Sequence, residues 1–256
     1  MWNRAELKAR GKAAFKKNYW ICVLVSLILA LIGGSSSSST SNAASDDSGY
    51  YSEYSYDSFD INDLTSGNYD IADLAVSMVT TAFAVITIFL AIIMIVLGIF
   101  IFNPLEIGGC RFFIVNTYGN PGVKELLLAF KSGHYGNMVL TMFLKNLFTG
   151  LWSLLIIVPG IIKSYEYRMI PYLLADCPDM SRQDAFAISK EMMYGNKWNV
   201  FVFDLSFIGW NILSKITFGI VGLFWSCPYQ NASNAELFLT LKDQYFRKHE
   251  TEQAVY

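Results

Sequence analysis

Eight ionisable side chains sit in or beside long apolar runs of this chain: Glu106, Lys145, Lys163, Glu166, Arg168, Asp176, Asp204 and Lys215. An ionisable group in hydrocarbon costs at least about 2.5–3.5 kcal/mol, so it pairs, faces a cavity or reaches for the surface. Five of them, Lys145, Lys163, Glu166, Arg168 and Asp204, form a candidate intramembrane polar cluster. Glu166 follows Lys163 by three residues, a spacing that places both on one helix face. Arg168 and Asp204 lie well inside apolar sequence, where an end effect does not account for them. Such a cluster either pins helices together or lines a path for a solute, and structural pairing is the expected use.

Other chemistry finds little to stand on. The chain has no G-x-x-x-x-G-K-[ST], G-x-S-x-G, H-E-x-x-H or G-x-G-x-x-G. Its two histidines, His134 and His249, are far apart in loop and tail contexts. The four cysteines are scattered without a C-x-x-C pair, which removes a zinc or disulfide framework and leaves them as small packing residues. The expectation is a non-enzymatic protein with no metal, no cofactor and no nucleic-acid partner; an Asp/Glu/Lys mechanism is not excluded by missing motifs.

The elements that must position the cluster are membrane helices. Of 256 residues, 54% are hydrophobic and 16% charged, against about a quarter charged in a soluble domain. Residues 74–102 contain no Asp, Glu, Lys, Arg or His, and about 20 apolar helical residues cross a hydrocarbon core of about 30 Å. A net charge of −2 hides an asymmetry. Residues 1–17 carry Arg4, Lys8, Arg10, Lys12, Lys16 and Lys17 against Glu6 alone, whereas 34–73 carry eight acids and no Lys or Arg. Basic flanks resist translocation, so the N-terminus is expected inside and the acidic loop outside.

The chain then divides as follows. Residues 1–18 read as a basic interfacial helix with Trp2, Ala5, Ala9, Ala13 and Phe15 on one side. Residues 19–33 are a first span, expected to be retained, with a cleaved leader as the competing reading. Residues 34–73 are a low-complexity Ser/Asp/Tyr external loop, read as a solvated spacer. Residues 74–230 form a helical bundle whose second span, 74–102, is expected to stop at Asn103-Pro104. Within it, 181–194 is a cytoplasmic amphipathic helix capped by Ser181, with Asp184 three residues on, and ended by Gly195. Residues 231–256 read as a cytoplasmic tail.

Pro159-Gly160 raises a topological choice. One kinked span over 138–175 would export Arg182, Lys190 and Lys197, whereas a hairpin with its tip at Pro159 and Gly160 keeps them inside. The hairpin is therefore expected, and with both ends inside the count is even: about six spans arranged as hairpins, or four. Pro104, Pro171 and Pro228 each fall near the inner end of a returning limb. Trp152, Trp198, Trp210 and Trp225 suit an interfacial belt.

The strings "LWSLLIIVPGIIKSYEYRMIPYLLADCP", "AFAISKEMMYGNKWNVFVFDLSFIGWNIL" and a following "PY", with the opening "LKARGKAAFKKNYW", resemble the bacterial integral membrane proteins grouped as domain of unknown function 975. The resemblance covers about residues 1–32 and 100–240. It departs at the Ser/Asp/Tyr loop and at Cys177, where a polar residue is expected. It implies an all-α polytopic protein of the bacterial cell membrane, chiefly in Gram-positive species, and brings no reaction and no catalytic residues. The expected role is a membrane scaffold or accessory factor for lipids or an envelope complex, with the bilayer and a membrane or cytoplasmic protein as partners. The alternative is a small transporter or permease subunit that uses the charge cluster and couples to a partner through 181–194; an intramembrane enzyme comes third.

Overall fold

The computed structural model describes residues 2–32 and 71–254; the acidic loop expected over 34–73 falls almost wholly outside them. The described residues are all helix, turn and coil. They fall into two units, one holding 71–97 and the other 2–32 with 98–254.

The larger unit contributes α1 (Arg4–Lys17), α2 (Tyr19–Ile32), α4 (Asn103–Tyr118), α5 (Leu128–Lys131), α6 (Tyr135–Leu155), α7 (Ile157–Glu166), α8 (Ile170–Asp176), α9 (Arg182–Met193), α10 (Lys197–Leu205), α11 (Ile208–Ile216) and α12 (Cys227–Ala254); the smaller contributes α3 (Ile71–Leu97). Every side chain from Leu74 to Val96 of α3 is exposed. That is the expected state of a helix whose solvent is lipid.

Among the described residues two helical stretches are long and apolar enough to cross a membrane, Leu74–Tyr118 and Tyr135–Leu155, with α1 and α2 together as a third across a bend of 101°. Two or three such helices stand where six spans were expected. The physical reason is that the other apolar runs are cut short: α7, α8, α10 and α11 have 10, 7, 9 and 9 residues.

Proline does not stop the chain where expected. Pro104, Pro171 and Pro228 each occupy the second position of a helix, α4, α8 and α12. Before Pro104 and Pro228 the backbone widens into π-helical turns, Gly98–Phe102 and Gly222–Ser226. A proline cannot donate to the carbonyl four residues back and crowds it, and a π turn relieves that crowding. The carbonyls left over are those of Phe100 and Phe224. Tyr135 donates its hydroxyl to the first at 2.5 Å, and Tyr19 donates to the second at 3.3 Å.

Helix α1 begins at Asn3, whose side chain accepts from the Ala5 amide at 3.0 Å. Its buried stripe is Leu7, Gly11, Ala14 and Phe15, while Ala5, Ala9 and Ala13 are exposed. The face expected to rest on lipid is thus rotated and packs on protein: Gly11 lies against Ser233 of α12, and the Phe15 ring meets Trp225 at 5.4 Å. Helix α12 is likewise no tail at its start, because Ala232, Ala235, Leu237, Phe238 and Leu241 are core residues. Helix α9 falls inside the 181–194 stretch and has the expected cap, with Ser189 buried and Ile188 half-buried. Ser181 accepts from the Asp184 amide at 3.2 Å, Ala185, Ser189 and Met192 face inward, and Gly195 adopts φ +76°.

A candidate intramembrane charge cluster

Arg168 sits in the turn between α7 and α8, with 3% of its side chain exposed. Asp204 comes from α10. The guanidinium grips its carboxylate in a two-pronged pair, one bond to Oδ2 and one to Oδ1 at 2.8 Å. The Tyr165 hydroxyl donates to the same Oδ2 at 2.9 Å, and Asn234 of α12 accepts from Arg168 Nη2 at 2.9 Å. A planar guanidinium fits a carboxylate edge to edge, which a lysine cannot do. One clamp therefore joins three elements: the α7–α8 corner, α10 and α12.

Glu166 is the centre of a second knot. Lys163 donates to its Oε2 at 2.6 Å and Lys197, from the start of α10, to its Oε1 at 2.5 Å. The Ser189 hydroxyl of α9 donates to the Glu166 backbone carbonyl at 2.7 Å. Lys145 belongs to neither group. It stands 3.6 Å from Glu106 and so links α6 to α4. A fourth set joins the end of α8 to the middles of α12 and α4, where Asp176 meets Lys242 and, at 3.7 Å, Arg111.

Of the five residues read as one cluster, the structure thus places Arg168 with Asp204, Lys163 with Glu166 in the expected i,i+3 pairing, and Lys145 apart. Asn234, Tyr165 and Lys197 were missed as partners. Tyr165 adjoins Glu166 in sequence and could have been found there; Asn234 could not, since 231–256 reads as a tail. As to chemistry, Asp204 accepts from Arg168 and Tyr165 and Glu166 from two ammonium groups. Both carboxylates are engaged as charge-assisted acceptors, an arrangement that holds helices together. Among the described residues no three or more His, Cys, Asp or Glu side chains gather as metal ligands.

Pro159 and Gly160 lie in the first turns of α7, and the chain reverses at Ile156, whose φ is −152°. Gly160 packs on Ser153, where a Cβ would come within 2.5 Å of the Ser153 Cα. In a continuous helix, residues seven apart are about 10 Å apart, so this contact fixes a reversal. Lys163 Nζ then lies 5.8 Å from the Trp152 ring centre, across the two arms.

Lys8 of α1 lies 4.2 Å over the Phe207 ring and donates to the Ser206 carbonyl at 3.3 Å, between α10 and α11. Burial pushes the Glu236 carboxyl up, opposed by Arg10 at 3.9 Å.

The class these features define is an all-helical protein with apolar helices of membrane-crossing length, held together by internal ion pairs. Residues 154–244 match the model of the family described as "Protein of unknown function (DUF975)". That segment holds Arg168, Asp204, Glu166, Lys197 and Asn234, so the clamp and the knot lie within the matched part. No curated protein and no solved structure matches the chain.

Proposed function

We propose that this chain is a non-enzymatic integral membrane protein of the bacterial cell membrane. It acts as a scaffold or accessory factor for lipids or an envelope complex, with both ends on the cytoplasmic side. The observation that supports this most is the internal pairing of the charges: Arg168 with Asp204, Glu166 with Lys163 and Lys197, and Lys145 with Glu106. A transport site needs groups whose partners change during the cycle. Here Arg168 is held by three bonds from two helices, which suits a fixed strut. The basic residues of α1 and of the end of α12 support the orientation.

The test is a charge-removal pair in purified protein. Asp204→Asn leaves Arg168 buried and uncompensated, a loss of about 3–5 kcal/mol, and is expected to abolish a monodisperse folded protein in detergent. Arg168→Met combined with Asp204→Leu removes both charges and is expected to restore folding. A wild-type melting temperature for Asp204→Asn would overturn the structural role and favour the transporter reading.

A further inference from the structure

Helix α1 carries Arg4, Lys8, Lys12 and Lys16 at intervals of four residues. That spacing sets them along one ridge, about 18 Å from end to end. Lys8 is engaged, over the Phe207 ring and on the Ser206 carbonyl. Arg4, Lys12 and Lys16 are exposed, and among the described residues they meet no carboxylate. The single acid of the helix, Glu6, is turned to Arg10 at 4.0 Å. Inside the molecule the rule is the opposite: Lys145, Lys163, Arg168 and Lys197 each face an acid. Ala5, Ala9 and Ala13, also exposed, lie alongside and leave the ridge open to a flat surface.

Both ends of α1 lie at a polar-to-apolar boundary. At its start, Trp2 donates to Asn196 at 3.2 Å, between Tyr194 and Trp198, which are 80% and 72% exposed. At its end, Lys17 donates to the Gly119 carbonyl at 3.1 Å, beside Tyr118 at 64%, and Trp20 follows at 75%. Exposed Trp and Tyr settle at the headgroup level of a bilayer. What lies past them agrees. Beyond Trp20 the exposed side of α2 includes Ile21 and Leu24, and beyond Trp198 that of α10 and α11 includes Phe201, Leu205, Ile208 and Ile212. On the near side stand Lys16, Lys17 and Lys190. Two marks of one depth, at the two ends of a helix of 14 residues, lay that helix along the boundary. The bend of 101° into α2 fits a helix in the plane followed by one that enters the core. The headgroup layer is about 5–8 Å deep on each side. A helix about 10–12 Å across at that level puts its basic ridge among phosphates.

We propose that the ridge of Arg4, Lys12 and Lys16 binds the phosphates of anionic phospholipids in the cytoplasmic leaflet. This rests on the membrane reading above and deepens it by naming the lipid class and the residues that recognise it. The complementarity selects for net charge, since a zwitterionic lipid offers each phosphate with its own cation. Each lysine or arginine near an anionic surface is worth about fivefold in affinity, so the three together are worth about 100-fold. Salt weakens all of it.

The test uses full-length protein in dodecyl maltoside and phosphatidylglycerol with a fluorophore on one acyl chain. Salt-sensitive binding is expected, in preference to phosphatidylcholine carrying the same fluorophore. Arg4→Gln/Lys12→Gln/Lys16→Gln is expected to lose about 100-fold in affinity for phosphatidylglycerol. Its melting temperature in lipid-free detergent should stay at the wild-type value, because all three side chains are exposed. Lys124→Gln/Lys131→Gln/Lys215→Gln removes as much charge elsewhere and is expected to keep the affinity. Equal binding of both lipids, or equal losses in both triple variants, would overturn the proposal. Loss of single-stranded RNA binding in place of lipid binding would give the ridge to a nucleic-acid partner and overturn it as well. Should the first triple variant not fold, its three single variants, each expected to lose about fivefold, decide the matter. Wild-type protein reconstituted in phosphatidylcholine alone separates the two readings. Resistance to alkaline extraction without any phosphatidylglycerol preference sinks this inference alone, whereas extraction sinks the membrane reading.

Discussion

The α6–α7 hairpin and the hairpin formed by α11 and the π turn after it are closed by the same device and finished differently. In each, a serine on the outgoing arm faces a glycine on the returning one: Ser153 with Gly160, and Ser214 with Gly222. The first turns in a single extended residue, Ile156, between apolar neighbours. The second turns through Phe218 and Gly219, both at positive φ, with Lys215 and Thr217 beside them. Phe218 is 98% exposed. Alike in their closures, they differ at their tips: Leu154, Leu155, Ile156 and Val158 are exposed on the first, whereas the second sets Lys215 and Thr217 among exposed Ile216, Phe218 and Ile220.

That comparison can be broken at the closures first. At Gly160 an added Cβ meets Ser153 backbone, at 2.5 Å from Cα and 2.9 Å from N. At Gly222 it meets only the Ser214 side chain, with Oγ at 2.1 Å. Gly160→Ala is therefore expected to cost about 1–3 kcal/mol as overpacking against a backbone that cannot rotate away. Gly222→Ala should cost less, and Ser214→Ala should restore what is lost; melting temperatures in detergent check the order. Equal losses at the two glycines would mean that the second hairpin is as rigid as the first.

The tips come next. A non-glycine residue at positive φ is strained, so Phe218→Gly should stabilise the folded protein by about 1 kcal/mol. No such gain is open at Ile156, which lies in ordinary extended space. The smallest effect lies outside both hairpins and supplies their baseline. Glu236 has its folded pKa raised by burial, so its contribution is fully present below the unfolded carboxylate range. It is lost as pH rises through the folded value. Glu236→Gln is expected to raise the melting temperature slightly at pH 7 to 8, with no gain at pH 4, while leaving the Gly160 and Gly222 effects unchanged.

Much of this was legible in the residues, for stated reasons. The 74–102 run has no charge to hide, so a membrane helix follows from composition alone. Arg168 and Asp204 were singled out because nothing at a helix end excuses them, and they pair. The count of spans was not legible: it treats each apolar run as one straight crossing, whereas Pro171 and the breaks at Ile156 and Ser206–Phe207 divide such runs into short helices. The reversal near Pro159 and Gly160 was argued from downstream charge, which locates a hairpin without locating its turning residue. Asn234 was illegible because the polar string from Gln230 to Glu236 looks like solvated tail. Its neighbours Ser233 and Asn231 are covered by Gly11 of α1 and Ser26 of α2, some two hundred positions earlier.

That distance has a consequence for how the chain comes into being. Trp2 bonds Asn196 at 3.2 Å, Lys8 the Ser206 carbonyl, Phe15 meets Trp225 edge to face, Tyr19 fills the vacancy left by Pro228, and Ser26 accepts from Asn231 at 3.4 Å. Helices α1 and α2 thus draw many of their partners from residues about two hundred positions further on, beside nearer ones such as Asn116, which donates to the Ala14 carbonyl at 2.8 Å. Until Trp225 and Ser233 have been made, Phe15 and Gly11 lack the neighbours that cover them, so this face of α1 stays open while the helices between are synthesised.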